Sequence, residues 1–291
     1  MDVMALIGIG LLTGVTTVLF GFGGGFVAVP VVVWADAALG ADAMRVATAT
    51  SALVMVVNAG FATAVTPRRV LAALRGSGAL LLLLAAGAAA GALATRLAPP
   101  ALARWAFIAY IILTIVDLLL RPGFLRPRTQ VDRRTQVDRR TQVDPRTQAG
   151  PRTQVEAPAD APRPLPAAVG APVGAVAAFL GVGGSVLTVP AMRRAGHTMH
   201  VATALANPLT LAIALPAALI SLGGYALPAS ADAQAHLVGL VDPGAAAALL
   251  LGALPVIAIL RRRPPRIPDR LYAWSYIGLL SVVAVAMLPT G

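Results

Sequence analysis

Two decapeptides concentrate the residues of this chain that are suited to recognising a ligand. Residues 21–30 read Gly-Phe-Gly-Gly-Gly-Phe-Val-Ala-Val-Pro, and residues 181–190 read Gly-Val-Gly-Gly-Ser-Val-Leu-Thr-Val-Pro. Five of the ten positions are identical at an offset of 160. Each glycine costs a helix ~1 kcal/mol against alanine, so each decapeptide is expected to break one. A helix that restarts after the break opens with free N–H groups and the positive end of its dipole, which together bind anions. The candidate ligand-binding residues are therefore Gly23, Gly24, Gly25 and Phe26 in the first decapeptide, and Gly183, Gly184 and Ser185 in the second. Pro30 and Pro190 are candidate gating positions in the restarting helices.

An oxyanion in a low-dielectric site needs donors, because burying an unpaired charge is very costly. Hydroxyls at Thr48, Thr50, Ser51 and Thr203 and amides at Asn58 and Asn207 are further candidates. For any one hydroxyl, bonding back to its own helix competes with ligand contact. Arg45 and His200 occupy equivalent places just before apolar runs. Arg45 can attract an anion, and His200 can titrate and couple proton movement; interfacial anchoring is the competing role of both. Asp117 is the one acid well inside an apolar run, with Arg121 four residues on to pair with it.

Other chemistries fit poorly. A dinucleotide fingerprint would need glycine at 26 and 186, where Phe26 and Val186 stand. No HExxH or GxSxG pattern occurs, so no enzyme is expected. The chain has no cysteine and three histidines, so neither a metal site nor a cofactor is expected.

The elements that must position these residues are apolar. Of 291 residues, 58% are hydrophobic and 12% charged, against ~45–50% and ~25% in soluble domains. Mean hydropathy is +0.80. Long apolar runs lie at about 3–34, 46–66, 77–95, 101–120, 167–192, 201–222, 243–260 and 271–289. A crossing helix needs ~20 such residues, so an all-α polytopic membrane protein is predicted. The N-terminal run lacks a basic leader and reads as a membrane segment rather than a signal peptide. Trp34, Trp105, Tyr272 and Trp274 sit near run ends, where an interfacial belt is expected. Gly87 and Gly91 form a small-xxx-small pair that permits close helix packing.

Residues 121–166 differ from the rest. An Arg-Thr-Gln-Val-Asp-Arg hexad starts at Arg128 and recurs, with decay, at Arg134, Arg140, Arg146 and Arg152. The tract holds ten Arg and five acids and is expected to be a disordered Arg-rich linker. It takes up nearly half of the formal charge of +11, so that charge does not mark a nucleic-acid surface. The tract separates residues 1–120 from 167–291, two halves that repeat each other. Besides the decapeptides, Met44-Arg45-Val46-Ala47-Thr48-Ala49 matches Met199-His200-Val201-Ala202-Thr203-Ala204 at an offset of 155.

Loop charge bears on orientation. If all eight runs cross, basic loops fall on both sides. If each glycine-broken run re-enters, each half has three full spans and the halves are inverted. Loops 67–76 (net +3), 121–166 (+5), 191–200 (+2) and 261–270 (+4) then share one side. Loops 35–45 (−1) and 223–242 (−2) share the other, and only Arg96 and Arg104 disagree. The inverted arrangement satisfies the positive-inside rule better and puts the central linker in the cytoplasm. Eight spans in parallel repeats is the competing arrangement.

The paired Gly-x-Gly-Gly-(Gly/Ser)-x-x-x-x-Pro stretches, the Val-Ala-Thr-Ala copies at 46–49 and 201–204, and the duplicated organisation resemble the TauE/SafE, or sulfite exporter, family of membrane permeases. The resemblance covers nearly the whole chain except 121–166. Ser185 replaces the third glycine in the second copy, Leu205 stands where the first has Thr50, and the linker is long. These departures bear on substrate more than on fold. The resemblance implies a multi-pass cell-membrane transporter of a small sulfur-containing anion such as sulfite, thiosulfate or an organosulfonate, proton-coupled and often exporting. It admits a homo-oligomer. A non-transporting scaffold, and a permease for an unrelated small anion, are the alternatives.

Overall fold

The computed structural model describes residues 3–121, 124, 165–223, 237–262 and 267–288. The Arg-rich hexads lie outside the described residues. Eleven α-helices are described: α1 (Val3–Phe20), α2 (Gly25–Ala35), α3 (Ala43–Ala64), a short α4 (Arg68–Leu71), α5 (Gly78–Leu97), α6 (Pro100–Leu120), α7 (Gly170–Leu180), α8 (Ser185–Arg194), α9 (Met199–Leu222), α10 (Pro243–Arg262) and α11 (Asp269–Ala286). No strand occurs among the described residues. The protein is an all-α, polytopic membrane bundle of two repeats.

Both glycine decapeptides break their helices as predicted. Gly21, Gly23 and Gly24 adopt positive φ in the first break, and Gly181 does so in the second. α1 is thus separated from α2, and α7 from α8. Among the described residues, six helices are long and apolar enough to cross a membrane: α1, α3, α5, the stretch Ala101–Leu120 of α6, α9 and α10. By length alone this set differs from the six spans of the inverted reading, which left out both broken runs and included 271–289. α1 reaches 18 apolar residues by itself, whereas the apolar part of α11, Arg270–Ala286, is shorter.

Small residues set the packing. A Cβ on Gly87 or Gly91 would collide with the carbonyl oxygens of Ala171 and Ala175, so α5 and α7 touch backbone to backbone. The equivalent pair in the other repeat is α10 and α1. Gly252 there abuts the Ile7 carbonyl, and Gly10 abuts that of Leu249. The first helix of each half therefore packs on a helix of the other half, α1 on α10 and α7 on α5. Within each pair residue numbers rise together: Gly10 faces Leu249 and Gly14 faces Ala253, while Gly170 faces Leu80 and Gly174 faces Leu84. Both pairs are parallel.

Contacts at the helix ends define two faces. On one, Arg45 at the start of α3 donates to Ala98 O after the end of α5 (2.9 Å). Arg96 donates to Gly223 O at the end of α9 (2.7 Å). Arg104 near the start of α6 donates to Met287 O at the end of α11 (3.2 Å). Asp242 N–H, just before α10, donates to Thr50 Oγ1 (2.9 Å). Loops 35–45 (net −1) and 223–242 (−2) belong to this side, called the acidic face below, and Asp36, Asp42 and Asp242 lie on it. At the opposite, basic face, Arg194 at the end of α8 pairs with Asp117 near the end of α6 (2.7 Å). Asp117 also pairs with Arg121 (2.9 Å), the helical pair the spacing predicts.

α3 starts at the face where α9 ends, and α5 ends where α10 starts. Equivalent helices run in opposite directions, so the repeats are inverted. α1, parallel to α10, starts from the acidic face, and α2 returns there at Asp36, within reach of the Asp242 charge. α7 starts at the basic face beside Leu80, and α8 returns there at Arg194. Each broken run is a hairpin that enters and leaves by the same end of the bundle.

Candidate functional site

The two glycine loops meet inside the bundle. The Cβ position of Gly183 lies 2.8 Å from Phe22 O and 2.9 Å from Thr210 Cγ2, and that of Gly23 lies 2.8 Å from the same methyl. Thr210, on α9, therefore separates the loops. Because α2 heads to the acidic face and α8 to the basic face, their N-termini converge here, each bringing a positive dipole end. Neither N-cap, Gly24 or Gly184, offers a side chain to the free amides. Ala28 N–H is bonded to Gly24 O (3.0 Å), and Leu187 and Thr188 N–H to Gly184 O (3.1 and 2.9 Å). The amides of Gly25, Phe26, Ser185 and Val186 precede those first bonds and are the open donors.

Polar side chains without partners collect around these termini. Asn58 is fully buried with both side-chain atoms unpartnered, and its Nδ2 lies 2.8 Å from the Cβ position of Gly24. Ser185 Oγ is fully buried and unpartnered, as are Asn207 Oδ1 and Thr188 Oγ1. Buried polar atoms normally find partners. The donors among them, Asn58 Nδ2 and the hydroxyls of Ser185 and Thr188, lie on or beside the two uncapped helix starts and are suited to a ligand that supplies oxygens, whereas the two amide oxygens can only accept.

The remaining sequence candidates separate into distinct places. Thr48 Oγ1 bonds to Met44 O (2.8 Å) and Thr203 Oγ1 to His200 O (3.2 Å), each on its own helix. Ser51 Oγ reaches both Thr48 O and Gly181 O at 2.8 Å. These residues cradle the glycine loops: Gly181 lies over Thr48 and Ser51, and Gly21 lies over Thr203 and Ala206. Asn207 Nδ2 donates to Thr203 O (3.1 Å). Arg45 sits at the acidic face, paired with Asp42 at 2.9 Å. His200 is exposed at the basic face. Pro30 and Pro190 are the sixth residues of α2 and α8.

Proline has no N–H, so Pro190 frees the carbonyl four residues back. That carbonyl is Val186 O, and Tyr276 Oη donates to it at 3.3 Å. Tyr276 belongs to a buried aromatic cluster with Phe20, Phe22 and Phe124 that packs beside the loops. Sequence reading alone passes over Tyr276, Thr210, Thr13 and Thr17. Thr13 and Thr17 are buried on α1, and Gly24 abuts the Thr13 methyl. Their one-turn spacing was the available signal.

The departures from repeat symmetry have local reasons. Gly25 lies against Met55, whose sulfur and methylene would clash with a Cβ. The residue equivalent to Met55 at the 155 offset is Thr210, a smaller side chain, and Ser185 takes the place of Gly25. Thr50 holds the chain before α10 through Asp242 N–H. Its equivalent, Leu205, is a buried core residue.

The chain matches the family model described as Sulfite exporter TauE/SafE over residues 6–287. No curated protein and no solved structure matches it. With an inverted pair of glycine-broken hairpins in a bundle of membrane-spanning length and a family match over nearly its whole length, the chain belongs to the TauE/SafE sulfite exporter family of membrane transporters.

Proposed function

We propose that the protein is a secondary transporter of small sulfur oxyanions, sulfite, thiosulfate or organosulfonates, bound where α2 and α8 begin. The observation that carries this reading is the convergence of two uncapped helix N-termini on the orphan donors of Asn58 and Ser185. Half-helix N-termini at a repeat interface are how many transporters hold anionic groups. The loops are buried from Phe20 to Val32 and from Leu180 to Val186, so substrate exchange needs the repeats to move against each other. The basic face, with Arg68, Arg69, Arg75, Arg193 and Arg194, is cytoplasmic under the positive-inside rule, and the linker then lies in the cytoplasm.

Proton coupling is part of the proposal. Asp36 and Asp242, one from each repeat, share the acidic face. Burial and the Asp242 charge raise Asp36 from 3.8 to about 6, where it exchanges protons near neutral pH. The test is flux of radiolabelled sulfite, thiosulfate and taurine in proteoliposomes with and without a pH gradient. The expected result is gradient-stimulated flux of at least one of them, lost in Asn58→Ala and Ser185→Ala chains that still fold. No flux above empty vesicles for any small anion overturns the reading.

A further inference from the structure

Helices of opposite repeats are joined in two different ways. α5 meets α7, and α1 meets α10, backbone to backbone through glycine, and parting either pair would forfeit that close packing. α6 and α8 also come from opposite repeats, and both end at the basic face. Neither contains a glycine. Their ends are held by a side chain instead: Arg194 of α8 pairs with the Asp117 carboxylate of α6 at 2.7 Å and reaches the Asp117 carbonyl at 3.3 Å. The paired side chains are 27% and 33% exposed. Water that reaches both partners lets such a pair part and re-form at small cost.

Behind this pair stands Phe124, four residues past the end of α6 and fully buried although it lies outside the helices. Arg193 of α8 donates to the Phe124 carbonyl (3.0 Å), and its guanidinium lies over the Phe124 ring, 5.9 Å from the centroid. On the other side the ring meets Tyr276 of α11, with centroids 5.4 Å apart. Tyr276 meets Phe22 of the first glycine loop in turn (5.1 Å), and its Oη donates to Val186 O at the start of α8. A row of contacts thus leads from the basic face to the centre: the Asp117–Arg194 pair outermost, then Arg193, Phe124, Tyr276 and Phe22. α6, α8 and α11 come together at Phe124, and its ring fills the space between them. The unpartnered hydroxyls of Ser185 and Thr188, about one turn apart, lie along α8 between the centre and Arg193. They offer hydrogen bonds to an anion that passes once the ring is out of the way.

We propose that Phe124, latched by the Asp117–Arg194 pair, is the gate of the basic face: it is shut here, and opening breaks the pair and withdraws the ring from between α6, α8 and α11. The proposal rests on the transport reading for its purpose; the gate itself is tested by access to the centre, without flux. The chain has no cysteine, so Ser185→Cys places a single thiol at the centre. In right-side-out and inside-out membrane vesicles holding the full chain, a charged, impermeant maleimide reaches that thiol from one face at a time. From the basic face, Asp117→Asn and Arg194→Gln should each speed labelling about threefold to fivefold, the loss of one partly exposed ion pair. Phe124→Ala should speed it about tenfold or more, because the ring itself is gone. Asp117→Glu and Arg194→Lys keep the charges and should keep labelling slow. Arg69→Gln, exposed on α4 at the same face, should keep it slow too. Labelling from the acidic face should rise in none of them, whereas a merely loosened bundle would label faster from both faces. Basic-face rates unchanged in both Asp117→Asn and Phe124→Ala, or raised equally from both faces, overturn the gate. Basic-face rates that respond as expected in a protein with no flux of any small anion leave the gate standing and overturn the transport reading instead.

Discussion

Gly24 and Gly184 occupy the same place in the two repeats, yet a methyl group would act on them differently. Gly24 has φ 86°, its Cβ position abuts Thr13, and Asn58 Nδ2 lies 2.8 Å away. Gly184 has φ −61° and faces the mobile end of Ile213. Gly24→Ala should therefore destabilise the protein by about 2–4 kcal/mol, adding left-handed strain to overpacking. Gly184→Ala should cost about 1 kcal/mol or less, because a flexible side-chain end can give way. Thermal melting in detergent checks both, and equal losses would mean that the loops are alike. The glycines were legible as breaks in the sequence. That Asn58 lies against Gly24 was not, because 34 positions separate them and only the packing of α2 on α3 joins them.

At the scale of elements, close backbone contact holds the crossed helix pairs together. Gly91→Val drives its side chain into the Ala175 carbonyl and should cost about 3 kcal/mol, since a backbone oxygen cannot rotate aside. Gly8→Val on α1, where nothing lies within 4 Å of the Cβ position, should change melting little. A comparable loss at both positions would remove the argument from α5–α7 contact. The Gly87–Gly91 spacing suggested a close partner, but it did not say that the partner was α7 of the other repeat. Run length by itself could not show how the first broken segment divides. A single apolar run of 32 residues hid an 18-residue helix followed by a returning one of 11.

For the whole molecule, inversion places equivalent loops at opposite faces. Ala38→Cys on the acidic face should react with an impermeant thiol reagent on intact cells, and Thr198→Cys on the basic face only after permeabilisation. Labelling of both from one side would contradict the membrane placement drawn from the fold. Asp36 gives the assembly a pH dependence. Its folded pKa, about 6, lies above the ordinary 3.8, so the folded state binds the proton more tightly than the unfolded chain does. The stability this provides is complete at low pH and is lost as pH rises through about 6. Melting temperature should fall between about pH 4 and 6 and then level off, and Asp36→Asn should flatten that slope. An unchanged slope would place the titration elsewhere.

Sequence by itself determined the membrane class, the duplication and the two breaks, because apolar runs and glycine clusters act locally and leave their pattern in consecutive residues. It also narrowed the orientation, since loop charge is written along the chain. Only the tertiary structure decided that each broken run turns back, that the repeats are inverted, and that α2 and α8 begin at one place. Those facts depend on which helix ends meet, as Arg45 meets Ala98 and Arg96 meets Gly223. It likewise divided the sequence candidates, leaving Thr48, Ser51 and Thr203 bonded around the loops and Asn58 and Ser185 without partners at the centre. A side chain's spare bonding capacity depends on its neighbours in space, and neighbours from opposite repeats leave no periodicity to read.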